Sequence, residues 1–238
     1  MHPTNLRSND PTPAFVSRSQ PVSIAGPVGG ILEGAILNAD RENNAGIAVV
    51  LHPHPLYGGT MSNKVVVSVA KAFAALGFVA LRFNYRGVGN STGEYDGGRG
   101  ETDDAVAAID WLRSTHATGP LWIAGFSFGT YVGLRAASER PPAGLITIAP
   151  AVNVLNFDDT AIPSCPWLVI QGDRDELVPV TAVLNWLSPL RPRPMLIRMK
   201  GAGHFFHGRL NDVRNSVIHF VERSAPRGNS ELSSNSIV

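Results

Sequence analysis

The chain has 238 residues, 44% of them hydrophobic and 16% charged, and a formal net charge of +1. That supplies a sizeable core for one domain of the large single-sheet type, or two small ones, and excludes a globally disordered chain. No basic or acidic block points to nucleic acid or to an anionic membrane surface, and the one cysteine, Cys165, can form no internal disulfide, which fits a reducing compartment.

Residues 1–20 are polar and Pro-bearing, lack the apolar centre of a signal peptide, and read as a flexible arm. No apolar stretch is long enough to span a bilayer, so a soluble, cytoplasmic protein is expected, with no membrane partner. From 22 to 37, short apolar pieces broken by Gly26, Gly29, Gly30 and Gly34 predict a hairpin of two edge strands. Residues 46–51 are a continuous apolar run, the mark of a strand buried on both faces. The strand must end at His52-Pro53-His54-Pro55-Leu56-Tyr57-Gly58-Gly59, because proline cannot continue a central strand. Val65, Val66, Val69, Ala70, Phe73 and Leu76 then recur at helical spacing, with Gly77 as the stop. Another buried strand is predicted over 78–83, a Gly-rich loop over 84–93, and a helix over about 101–115 with acidic residues in its first turn.

An apolar run from Leu121 leads into Gly125-Phe126-Ser127-Phe128-Gly129, and 130–140 is rich in Ala and Leu and reads as a helix. A serine at the tip of a strand–turn–helix is held in a strained backbone conformation, its hydroxyl exposed above the sheet edge. Gly125 and Gly129 flank it because a side chain there would collide across the turn. The turn also aims a helix N-terminus at whatever Ser127 attacks, where partial positive charge favours a developing oxyanion. Further strands are predicted over 144–149, 166–171 and 195–199, with helices over 180–187 and from Leu210 to Phe220. The Ser/Asn-rich tail, 224–238, reads as disordered. The alternation implies one domain, 21–223, with a mostly parallel central sheet and helices on both faces. Ligands of such sheets bind beyond the carboxyl ends of the strands. His52, His54, Ser127, Asp173, Asp175 and His204 all fall there.

A serine hydroxyl is a poor nucleophile until a base takes its proton, and that base is usually a histidine oriented by a carboxylate. Ser127, then an Asp at 173 or 175, then His204 is the chain order of α/β-hydrolases. The chain resembles that superfamily on four motifs in sequence: the loop from His52 to Gly59, Gly125-Phe126-Ser127-Phe128-Gly129, Gly172-Asp173-Arg174-Asp175-Glu176-Leu177-Val178-Pro179, and Gly203-His204. Within it, the chain is similar to small bacterial members with a His-Pro-His-Pro-x-x-Gly-Gly loop, akin to dienelactone-hydrolase-like and serine-esterase proteins. The resemblance implies a Ser127 nucleophile, a His204 base and Asp175 as the orienting acid, the family's pattern placing the carboxylate at the second Asp and making Asp173 a loop tie. Dienelactone hydrolases carry Cys where this chain has Ser127, so their substrate is not carried over. Epoxide hydrolase and dehalogenase chemistry is disfavoured, since it needs Asp there.

An oxyanion hole needs two donors. One is expected to be the Phe128 N–H, the other an N–H of the loop after the first buried strand. Pro53 and Pro55 have none, which leaves His54 or Leu56, with Tyr57 less favoured. Only residues 150–164 separate two strands where many relatives insert a cap, so the pocket is expected to be shallow, open and uncapped. Its apolar lining is expected from Leu56, Tyr57, Phe126, Phe128, Val152, Leu155, Phe157, Phe205 and Phe206. The expected activity is hydrolysis of small or short-chain carboxylic esters, or thioesters, through an acyl-enzyme. The alternatives are a peptidase or amidase on the same triad and a non-catalytic binding protein of the same fold.

Other residues take plainer readings. His52, His54 and His207 invite a metal site. The prolines constrain the first two and no Cys or carboxylate completes a set, so no metal and no cofactor is expected, His52 packs at the strand end and His207 caps or flanks the last helix. Arg86 reads as structural, and Cys165, Trp111, Trp122, Trp167 and Trp186 as core.

Overall fold

The structure, a computed structural model, describes residues 19–39, 45–116 and 119–224. Among these residues, eight strands form one sheet: β1 (Ser19–Ala25), β2 (Ile31–Leu37), β3 (Gly46–Leu51), β4 (Phe78–Phe83), β5 (Leu121–Phe126), β6 (Gly144–Ile148), β7 (Trp167–Gly172) and β8 (Met195–Met199). Their spatial order is β1-β2-β4-β3-β5-β6-β7-β8. The hairpin β1–β2 joins antiparallel to the edge at β4, and every pairing from β4 to β8 is parallel. The predicted arm and tail lie outside the described residues except at their inner ends. There the boundaries shift: Ser19 and Gln20 already pair with Leu37 and Ile36, and the last helix runs through Ser224.

Among the described residues, five α-helices cover the sheet: α1 (Lys64–Ala75), α2 (Arg99–His116), α3 (Phe128–Glu139), α4 (Val180–Leu187) and α5 (Leu210–Ser224). The period-2 alternation of strand side chains divides the core between the two faces. Ile47, Val49 and Leu51 of β3 pack with Ile109 of α2, Val132 of α3 and Val183 of α4. Ala48 and Val50 pack on the other face with Phe73 of α1 and Val217 of α5. Each fully buried Val, Leu, Ile or Phe among them contributes about 1.5–3 kcal/mol. Both faces being covered is why the central strands read as unbroken apolar runs.

Two helices begin earlier than predicted, for local reasons. The buried carboxylate of Glu101 accepts the N–H groups of Asp96 (2.9 Å) and Gly98 (2.6 Å), which starts α2 at Arg99. α3 starts at Phe128, directly behind Ser127, since the turn needs no further residues. Between β6 and β7, residues 149–166 contain turns and bends but no helix or strand, so nothing of cap size stands over the sheet there. Trp122 and Trp167 are core residues, whereas Trp111, Trp186 and Cys165 are only partly buried against the core. Among the described residues, no helix is long and apolar enough to cross a membrane.

Candidate active site

Ser127 sits between β5 and α3 at φ 54° and ψ −115°, a conformation that costs a non-glycine residue about 1–3 kcal/mol. Close packing holds it there. A Cβ on Gly125 would lie 2.1 Å from the Gly129 carbonyl oxygen, and one on Gly129 would lie 2.5 Å from Leu51 O and 2.8 Å from His52 O. The Ser127 N–H is donated to Ile148 O of β6 at 2.8 Å. The strand, the turn and the first turn of α3 therefore lock together only with glycine at both flanks.

The loops after β7 and β8 bring two more of the expected residues to the serine. His204 Nε2 lies 3.1 Å from Ser127 Oγ, and His204 Nδ1 lies 2.9 Å from Asp175 Oδ2. Both side chains of the His–Asp pair are almost fully buried. Asp175 Oδ1 also accepts the N–H groups of Val178 (2.7 Å) and Leu177 (2.9 Å), and Oδ2 accepts Gln171 Nε2–H (3.0 Å). Burial pushes the Asp175 carboxyl up, but the His204 bond and the Val178 and Leu177 N–H groups outweigh it and hold it below the usual carboxylate range. A carboxylate only accepts, so Nδ1 carries the imidazole proton and Nε2 turns its lone pair to Ser127. The His204 N–H is donated to Glu176 Oε2 at 3.1 Å, which fixes the loop that carries the ring.

Asp173 does not reach the histidine; its carboxylate accepts the Gly201 N–H at 2.6 Å and ties the β7 and β8 loops together. Arg86 pairs with Asp104, its guanidinium donating at 2.8 Å and its N–H at 2.9 Å. His207 is exposed, its ring 6.0 Å from that of Phe205.

The loop after β3 is a tight knot around His54, the residue preceding a 3₁₀ turn over Pro55–Tyr57. Tyr57 and Gly59 donate their N–H groups to His54 O (3.2 and 3.0 Å), and Gly58 donates to Pro55 O (3.2 Å). Leu56 donates its N–H to the His54 ring at Nδ1 (3.3 Å). Among the described residues, the N–H groups of His54 and of Phe128 have no acceptor. The rings of these two residues are in contact, their centroids 4.9 Å apart. The Leu56 N–H, expected as an equal candidate for the oxyanion, is thus already engaged.

His52 is fully buried at the end of β3, its Nδ1–H donating to Pro53 O (2.7 Å) and its Nε2 accepting the Tyr85 N–H (3.2 Å). Both nitrogens are used, so it has none free for a metal, and burial lowers its pKa to about 4. The unfolded chain therefore binds a proton there, from about pH 6.5 downward, that the folded chain refuses until about pH 4, and stability falls with pH across that window. The fall from this residue is about 3 kcal/mol in full. Urea unfolding between pH 7 and pH 4.5 should show a flatter decline in His52→Leu than in the wild type, and equal slopes would refute the assignment.

The expected pocket lining needs correction. Phe126, Phe128, Phe157 and Phe206 are buried core residues. Val152 and Leu155 are partly buried against the core. Leu56, Tyr57 and Phe205 are exposed, and Leu177 joins them, on the loops that carry His54, His204 and Asp175. Three residues that hold the site were not singled out from the sequence. Gln171, a polar side chain ending an apolar strand, was a readable signal; Tyr95 and Glu176 gave none.

The family model of the X-Pro dipeptidyl-peptidases (S15 family) matches residues 38–164. An α/β serine hydrolase without a lid from Xanthomonas campestris superposes with a TM-score of 0.83 at 44% identity, covering 91% of this chain and 99% of that one. A protein of Rickettsia prowazekii is 37% identical over 206 residues, 82% of this chain and 86% of its own length. The lysophosphatidylserine lipase ABHD12 of Gallus gallus is 36% identical over 112 residues, and the match spans 29% of that lipase.

Proposed function

The chain belongs to the α/β-hydrolase superfamily of serine hydrolases, which takes in the S15 peptidases, and from that premise we propose that it hydrolyses small or short-chain carboxylic esters through an acyl-enzyme on Ser127, His204 and Asp175. The observation that carries the reading is the unbroken line from Asp175 through His204 to Ser127, at 2.9 and 3.1 Å, with the free N–H groups of Phe128 and His54 at neighbouring residues. His204 Nε2 takes the proton of Ser127 as Oγ bonds to the ester carbonyl carbon. The carbonyl oxygen becomes an oxyanion held by the N–H groups of Phe128 and His54, and Asp175 offsets the charge on the imidazolium. His204 returns the proton to the leaving alcohol as the C–O bond breaks. It then deprotonates a water that attacks the acyl carbon, and Ser127 leaves with the proton from His204. The short β6–β7 connection supports small substrates, since no cap encloses a long chain.

The S15 match supports a second reading, an amidase or peptidase on the same residues. It includes Ser127 but ends before Asp175 and His204, so it does not speak for the whole triad. A fluorophosphonate probe followed by intact mass tests the common premise. One adduct on the wild type and none on Ser127→Ala is the expected result, and an unlabelled, folded wild type would overturn it. Paired esters and anilides of one acyl group then separate the readings. The panel includes a lysophospholipid because of the resemblance to the lipase ABHD12. Faster turnover of the short ester is expected; preference for the anilide or the lipid would replace it.

A further inference from the structure

The oxyanion takes only the backbone of His54, yet its side chain is bonded at both ring nitrogens. Its Nδ1 accepts the Leu56 N–H at 3.3 Å, so the neutral ring carries its proton on Nε2, and Nε2–H is donated to the Tyr95 hydroxyl at 3.2 Å. Its faces are covered by Tyr57, Tyr95 and Phe128, with ring centroids 4.7, 5.0 and 4.9 Å away. Tyr95 comes from the connection between β4 and α2, Phe128 from the turn of the nucleophile, and Tyr57 from the loop itself. An imidazole locked on both nitrogens and packed on three rings has one orientation, and through its own Cα so has the backbone N–H beside it.

We propose that the His54 imidazole, held by the Tyr95 hydroxyl, is a positioning group for the oxyanion-binding loop. It occupies the Leu56 N–H, so one loop donor rather than two is presented to the substrate. Its contact with Phe128 sets that donor, the His54 N–H, at a fixed place beside the Phe128 N–H. The inference rests on the serine-hydrolase reading. Tyr95 is thereby a positioning residue acting through His54, with no contact to the reacting atoms.

Separating acceptor, ring and clamp tests this. In His54→Asn, the side-chain oxygen can accept the N–H two residues on, as asparagine does in turns, without the ring or the Tyr95 bond. His54→Leu keeps the bulk and has no acceptor, and Tyr95→Phe keeps the ring and removes only the hydroxyl. With p-nitrophenyl acetate, Tyr95→Phe is expected to lower kcat about tenfold with KM little changed, because a donor displaced costs less than the factor of about 10²–10³ for a donor lost. His54→Leu is expected to fall about a hundredfold, and His54→Asn to recover part of that loss. Labelling of Ser127 by the fluorophosphonate should slow in the same order, since the phosphonyl oxygen uses the same donors. Thermal midpoints establish that each variant is folded. Wild-type kcat in folded Tyr95→Phe and His54→Leu would overturn the proposal, as would an Asn variant no better than Leu. An unlabelled wild type would instead overturn the serine-hydrolase reading on which the proposal stands.

Discussion

Asp175→Asn should lower kcat by about four orders of magnitude in a protein that still folds. The size follows from what the amide must do. The N–H groups of Val178 and Leu177 point at Oδ1 from 2.7 and 2.9 Å and need an acceptor, so the amide oxygen is drawn to that side. The NH₂ then takes the shorter of the two contacts to His204 Nδ1, 2.9 Å against 3.1 Å for Oδ1, and Nδ1 can pair with it only by giving up its own proton. That proton moves to Nε2 and points at Ser127 Oγ, so the base reaches the serine already protonated. Gln171 keeps its amide as it stands, because Nε2 also donates to Val178 O at 3.0 Å and Gly172 O at 3.3 Å, so its bond to position 175 is lost and adds a cost in stability. Steady-state kinetics with a short p-nitrophenyl ester is the measurement. A loss of less than about tenfold would remove Asp175 from the orienting role.

Gly125→Ala should act on stability, by at least about 3 kcal/mol in urea unfolding. The added methyl would sit 2.1 Å from the Gly129 oxygen, 2.4 Å from its carbonyl carbon and 2.7 Å from the Thr130 nitrogen. These are backbone atoms, so no side-chain rotation relieves the overlap. The first turn of α3 cannot retreat either, because Gly129 already lies against Leu51 O and His52 O. β5 and α3 must part, and Ser127 loses the geometry they impose. A wild-type unfolding midpoint would show that the turn opens without cost.

These two substitutions probe what was legible in the residues. The elements are readable because burial on both faces writes unbroken apolar runs, as in β3 and β5, and because Pro53 and Gly77 stop their elements for local reasons. Loop residues that meet across long sequence separations are readable only where a motif labels them, as at Asp175 and His204. The choice between His54 and Leu56 was beyond the sequence, since it turns on which way one imidazole faces, and that depends on Tyr95, 41 residues on. Pocket lining failed for a related reason. Phe126 and Phe128 flank Ser127 in the chain, but the strained turn sends both of their side chains into the core, on opposite faces of the sheet.

The bare connection between β6 and β7 has a chemical corollary. With Ser127 half-buried and no helix or strand in residues 149–166, an acyl group on its oxygen would stand in contact with the bulk solution. Whatever nucleophile the surroundings supply then competes with water for the acyl carbon. The partition between hydrolysis and transfer to an acceptor alcohol would follow the composition of the medium rather than a closing door, and the same fold would make acids in dilute buffer and exchanged esters in a mixture rich in alcohol.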